Sequence, residues 1–66
     1  MTDNEIKAVI AKYLKLRVKQ HKDVIKATGI RASTYYRRMA NPQTLSVKEL
    51  RLIFNYLKVP YAERSI

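Results

Sequence analysis

HKDVIKATGIRASTYYRRMA, residues 21–40, decides how this chain reads. It contains the single glycine of the 66 residues. Val24 and Ile25 precede that glycine, with Ala27 close behind, and their spacing predicts a short inward-facing helix over residues 19 or 21 to 28. Gly29 ends it, because the left-handed backbone angle that closes a helix costs least at glycine. Ile30 follows and plugs the turn. Tyr35 and Met39 are four apart and share a face of a third helix over 32–40, with Tyr35 read as a core residue. Asn41-Pro42 stops that helix, since the residue before proline disfavours helical angles. The stretch is two short helices about a tight glycine turn.

The flanks are helical as well. Thr2-Asp3-Asn4-Glu5 has the form of a capping box, with the Thr2 hydroxyl on the Glu5 amide and the Glu5 carboxylate reaching back. Ile6, Val9, Ile10, Tyr13 and Leu14 then make one stripe on a first helix that ends near Leu16. Residues 17–22 form a basic, polar link. Ser46-Val47-Lys48-Glu49 is a second capping box, and Leu45 and Leu50 flank it as a hydrophobic staple. Behind it, Val47, Leu50, Ile53, Phe54 and Leu57 form the buried stripe of a fourth helix, with Leu52 and Tyr56 on its flank. Val59-Pro60 ends it, and residues 61–66 make a tail or a short fifth helix. No alternating run is long enough for a strand. The expected fold is all-α, with four to five short helices in a single domain over 1–66.

Charge narrows the function. Fourteen Lys and Arg face five acids, a net charge of +9. Ten of the basic residues fall between Lys7 and Arg38, where Asp23 is the one acid. An excess of this size repels itself and points to a polyanionic partner, nucleic acid before membrane. The chain has no cysteine, so neither disulfides nor thiolate metal sites support it. No segment has the length and apolarity of a membrane span. The opening residues are acidic and polar, unlike a secretory signal, so a cytoplasmic protein is expected. One histidine and five scattered acids, two of them used by caps, offer no catalytic constellation and no metal-ligand cluster. No enzyme activity, cofactor, metal or small-molecule substrate is expected.

Gly29-Ile30 at the turn, Ala32-Ser33-Thr34-Tyr35 opening the next helix, Asn41-Pro42 after it and the helix over 45–59 together resemble the Cro/C1-type, XRE-like helix-turn-helix family of phage and bacterial transcriptional regulators. The resemblance covers roughly residues 19–59. It implies a lambda-repressor-like helix-turn-helix domain that binds double-stranded DNA, most like a small Cro-like repressor from a phage or mobile element. Carried over by position, the family's base-reading residues fall on Ala32, Ser33, Tyr36 and Arg37. Arg37 suits guanine, Ser33 can donate or accept, and Ala32 can touch a thymine methyl. The family's phosphate contacts fall on Gln20, His21 and Asn41, with Lys19, Lys22, Arg31 and Arg38 adding charge nearby. Two positions depart from the pattern, and the loop after Met39 is shorter than the family norm. Ile25 stands where the family usually has a small residue, and Arg38 where it usually has an aliphatic one, a packing role that Met39 can take over.

Regulators of this type commonly act as dimers on half-sites about one helical turn apart. The candidate dimer surface is the flank of the fourth helix with the tail: Leu52, Tyr56, Val59, Tyr61 and Ile66. An alternative reading is a helix-turn-helix fold reused as a protein-interaction module, binding a partner repressor or a host factor, because fold alone does not decide function.

Overall fold

The structure is a computed structural model and describes residues 2–64. Among these residues the chain is all-α. It forms helix α1 (Asp3–Leu16), α2 (His21–Thr28), α3 (Ala32–Ala40) and α4 (Val47–Leu57), with 3₁₀ turns at Pro42–Thr44 and Tyr61–Glu63.

Each start has a local cause. The Glu5 amide donates to Thr2 Oγ1 at 3.2 Å, and the Thr2 amide donates back to the Glu5 carboxylate at 3.3 Å. Ser46 and Glu49 repeat the arrangement on α4, at 3.0 and 2.9 Å. Such caps satisfy amides that the helix itself leaves open, each worth about 1 kcal/mol. Asp23 performs half of this service on α2, accepting from the Gln20 amide at 2.8 Å. At the far end of α2, Gly29 takes a φ of 75° and its amide donates to the Ile25 carbonyl.

The ends of α1 and α4 close without glycine. After α1, the Lys19 amide donates to the Leu14 carbonyl and the Val18 amide to the Lys15 carbonyl. After α4, Val59 and Lys58 donate to Phe54 and Asn55 in the same pattern. This double bond requires a left-handed residue, and here Val18 (φ 55°) and Lys58 (φ 54°) supply it. For a β-branched valine that angle is a genuine outlier.

The core joins Ile6, Ile10, Tyr13 and Leu14 of α1 to Val24, Tyr35, Leu50, Ile53, Phe54, Leu57 and Val59, with Ile25, Ile30 and Met39 packed at its edge. α4 is the central element and lies against both α1 and α2, whereas α3 rests on α2 and on the turn at Pro42–Thr44. Met39 therefore does take a packing position, as the departure at Arg38 implied. Two expectations are corrected. Val47 is 57% exposed, because it occupies the first turn of α4, short of the core. Ala27 is also exposed, so the inward face of α2 is Val24 with Ile25.

Side chains close the C-terminal end of α4. Arg17 Nε donates to the Leu57 carbonyl and its Nη2 to the Lys58 carbonyl, both at 3.0 Å. From the other side, buried Arg64 donates to the Val59 carbonyl at 2.8 Å, to Asn55 Oδ1 at 2.8 Å and to the Phe54 carbonyl at 3.4 Å. Two cations at the negative end of a helix dipole are favourably placed. Glu63 fastens the tail to α1, accepting from Lys12 Nζ at 2.9 Å and from the Tyr13 hydroxyl. These bonds hold the Glu63 carboxyl below its ordinary range, Tyr13 first and Lys12 second.

Candidate nucleic-acid interface

α3 is built with one anchored side and one open side. Tyr35 is completely buried and Met39 is partly buried against the core. Ala32, Ser33, Tyr36 and Arg37 are all exposed. At about 100° per residue these four positions occupy roughly 140° of the helix circumference, with Ala40 among them. The helix carries no acid, and no side chain caps its N-terminus. The four base-reading candidates therefore lie together on one open face, as the sequence spacing requires.

The aromatic rings join this face to α2. The Tyr36 ring meets the Tyr35 ring edge-on, with centroids 5.4 Å apart, and lies 6.1 Å from the His21 imidazole. His21 Nδ1 is 2.6 Å from the Tyr35 hydroxyl. Burial pushes the Tyr35 phenol up to about 12, so it is protonated and able to donate. Sequence reasoning assigns Tyr35 to the core alone. The available signal was that a buried tyrosine hydroxyl needs a partner, and His21 is that partner.

The basic residues divide into two groups. Among the described residues, four are tied into the fold: Lys12 to Glu63, Arg17 and Arg64 to the end of α4, and Arg38 to Glu49 and the Thr44 carbonyl. Arg38 is thus corrected as a phosphate candidate. Its guanidinium is 3.4 Å from Glu49 and turned toward the start of α4, joining three elements. Glu49 is held below its ordinary pKa, chiefly by the Ser46 amide and then by the Ser46 hydroxyl, with the Arg38 charge adding to it. Lys19 is also partly engaged, its ammonium 5.8 Å from the centre of the Tyr56 ring. The other candidates, Gln20, His21, Lys22, Arg31 and Asn41, are exposed at the start of α2 and at the two ends of α3. The one carboxylate on α2 and α3, Asp23, is half-buried and turned to the Gln20 amide. The open face of α3 is thus bordered by cations without an opposing acid from its own two helices.

The candidate dimer surface is reduced. Val59 is corrected: it is 2% exposed, folded back into the core by the turn at Lys58. Tyr56 is half-buried, Leu52 and Tyr61 are exposed, and Ile66 lies outside the described residues. Among the described residues no group of three metal-ligating side chains occurs, and no helix is long and apolar enough to cross a membrane. Comparison of the chain with protein-family models, curated proteins and solved structures finds no match.

Proposed function

We propose that this protein binds double-stranded DNA, with α2, the Gly29 corner and α3 acting as a helix-turn-helix and the open face of α3 lying in the major groove. The observation that carries the reading is the two-sidedness of α3. Tyr35 fixes the helix to the body of the protein, while Ala32, Ser33, Tyr36 and Arg37 project from it without an acidic neighbour on α2 or α3. The major groove admits one α-helix and offers a distinct pattern of donors and acceptors for each base pair. Arg37 would read guanine, and Lys22 and Arg31 would hold the backbone on either side. The function that follows is sequence-specific transcriptional regulation, in the manner of a small Cro-like repressor that blocks a promoter by occupying it.

Selection from random duplexes at moderate salt tests this directly. An enriched motif is expected, with affinity falling steeply as salt rises. Binding to a protein partner with weak salt dependence, and no enriched duplex, would instead support the interaction-module reading. An inverted repeat in the enriched motif would indicate two copies on one site. Sedimentation of the Leu52→Glu variant would then test whether the remaining exposed flank of α4 joins them.

A further inference from the structure

We infer that Tyr35 is a positioning residue for DNA binding: its hydroxyl holds His21 as a donor through Nε2, aimed at a backbone phosphate. The inference deepens the DNA-binding reading above and rests on it. Tyr35 is wholly withdrawn from solvent, and its hydroxyl has His21 Nδ1 as its hydrogen-bond partner at 2.6 Å. A buried O–H without an acceptor is costly, so the hydroxyl donates and Nδ1 accepts. A neutral imidazole that accepts at one nitrogen carries its proton on the other. Nε2 is therefore an N–H donor. Were the ring to become cationic, Nδ1 would donate to the tyrosine oxygen and Nε2 would still carry a proton. In both forms the nitrogen remote from Tyr35 presents a donor.

The place of that donor fits a phosphate. His21 is exposed at the first residue of α2, beside Lys22, and its ring borders Tyr36 on the open face of α3. When a second helix enters the major groove, the first one crosses the sugar-phosphate backbone, where the available groups are acceptors. Reversing the tautomer would turn an acceptor lone pair toward those oxygens and repel them.

The test pairs a spectrum with a binding cycle. In the long-range ¹H–¹⁵N spectrum of the free protein near neutral pH, His21 is expected as the Nε2–H tautomer. Tyr35→Phe keeps the buried ring and is expected to let the Nδ1–H form appear. On the selected duplex Tyr35→Phe is expected to weaken binding about twofold, the factor by which an even mixture of tautomers lowers the binding-competent fraction of His21. In a His21→Gln background, where an amide donates without help, the same change is expected to do nothing. An Nδ1–H tautomer in the wild type, a spectrum unchanged by Tyr35→Phe, or a full loss persisting in the His21→Gln background would overturn the inference. If the wild type shows the Nε2–H form and ignores every duplex at low salt, the phosphate role falls with the DNA reading, and the failure lies in that reading rather than in the tautomer.

Discussion

Arg17, at the end of α1, donates through Nε to the carbonyl of Leu57, the last residue of α4, 40 positions further along the chain. The guanidinium belongs to the fold, although in the sequence it sits inside the most basic stretch. Arg17→Ala is expected to cost about 1–3 kcal/mol in urea unfolding, because two carbonyls lose a charged donor. The same variant is expected to leave the salt slope of duplex binding unchanged. A slope lowered by about one unit would place Arg17 on a phosphate instead.

Arg37 and Lys22 should separate reading from holding. Arg37→Ala is expected to weaken the selected duplex and to relax preference at one base pair, by about 1–3 kcal/mol of discrimination. Lys22→Ala is expected to weaken all duplexes alike and to flatten the salt slope by about one unit. Repeating the selection with each variant measures both, and identical behaviour would reject the proposed docking of α3.

Two left-handed residues give stability predictions of opposite sign. A Cβ placed on Gly29 meets nothing within 4 Å, so Gly29→Ala introduces backbone strain without a clash. It is expected to destabilise by about 1 kcal/mol. Val18 carries the same strain already, and the residue is 89% exposed and contributes little packing. Val18→Gly is expected to stabilise by about 0.5–1 kcal/mol, the relief of strain exceeding the greater chain entropy of glycine. Thermal unfolding of both variants checks the pair.

Stability should fall at both extremes of pH. Glu5, Glu49 and Glu63 are all held below the ordinary value of 4.5, the first two chiefly by the amides they accept from and the third by the Tyr13 hydroxyl. Their contribution is complete above that value and is lost as pH falls through the lowered folded values. Tyr35 has the opposite sign. Its phenol is raised from 10.0 to about 12 by burial, so its contribution is complete below pH 10 and disappears as pH rises toward 12. Tyr13 and Lys12, raised by Glu63, act in the same direction. Urea titrations across the range check both limbs, and a flat acid limb would mean that the caps contribute nothing.

The capped starts of α1 and α4 and the end of α2 were legible because caps and glycine are chemical signals confined to a few neighbouring residues. Thr2 with Glu5, Ser46 with Glu49, and Gly29 each sit where the sequence spacing put them. The open face of α3 was legible for a related reason, since periodicity fixes which side chains oppose Tyr35. What escaped was whatever depends on distant contacts or on an unmarked backbone angle. Val18 and Lys58 turn the chain without the residue type that announces such a turn. Arg38 meets Glu49 only after the turn at Pro42–Thr44 brings α4 back toward α3. The burial of Val59 was recoverable, because the residue after a left-handed helix end characteristically packs onto the last turn.

The guanidinium of Arg64 occupies the same end of α4 as Arg17 and is buried there, its donors spent on the Val59 and Phe54 carbonyls and on Asn55. That makes it a built-in gauge of whether the tail is seated. Phenylglyoxal, which attacks guanidinium groups open to water, should label exposed Arg37 at once and Arg64 only as the tail lifts. Peptide mapping after graded exposure should therefore show Arg64 lagging behind Arg37 in the folded protein, with the lag abolished in urea.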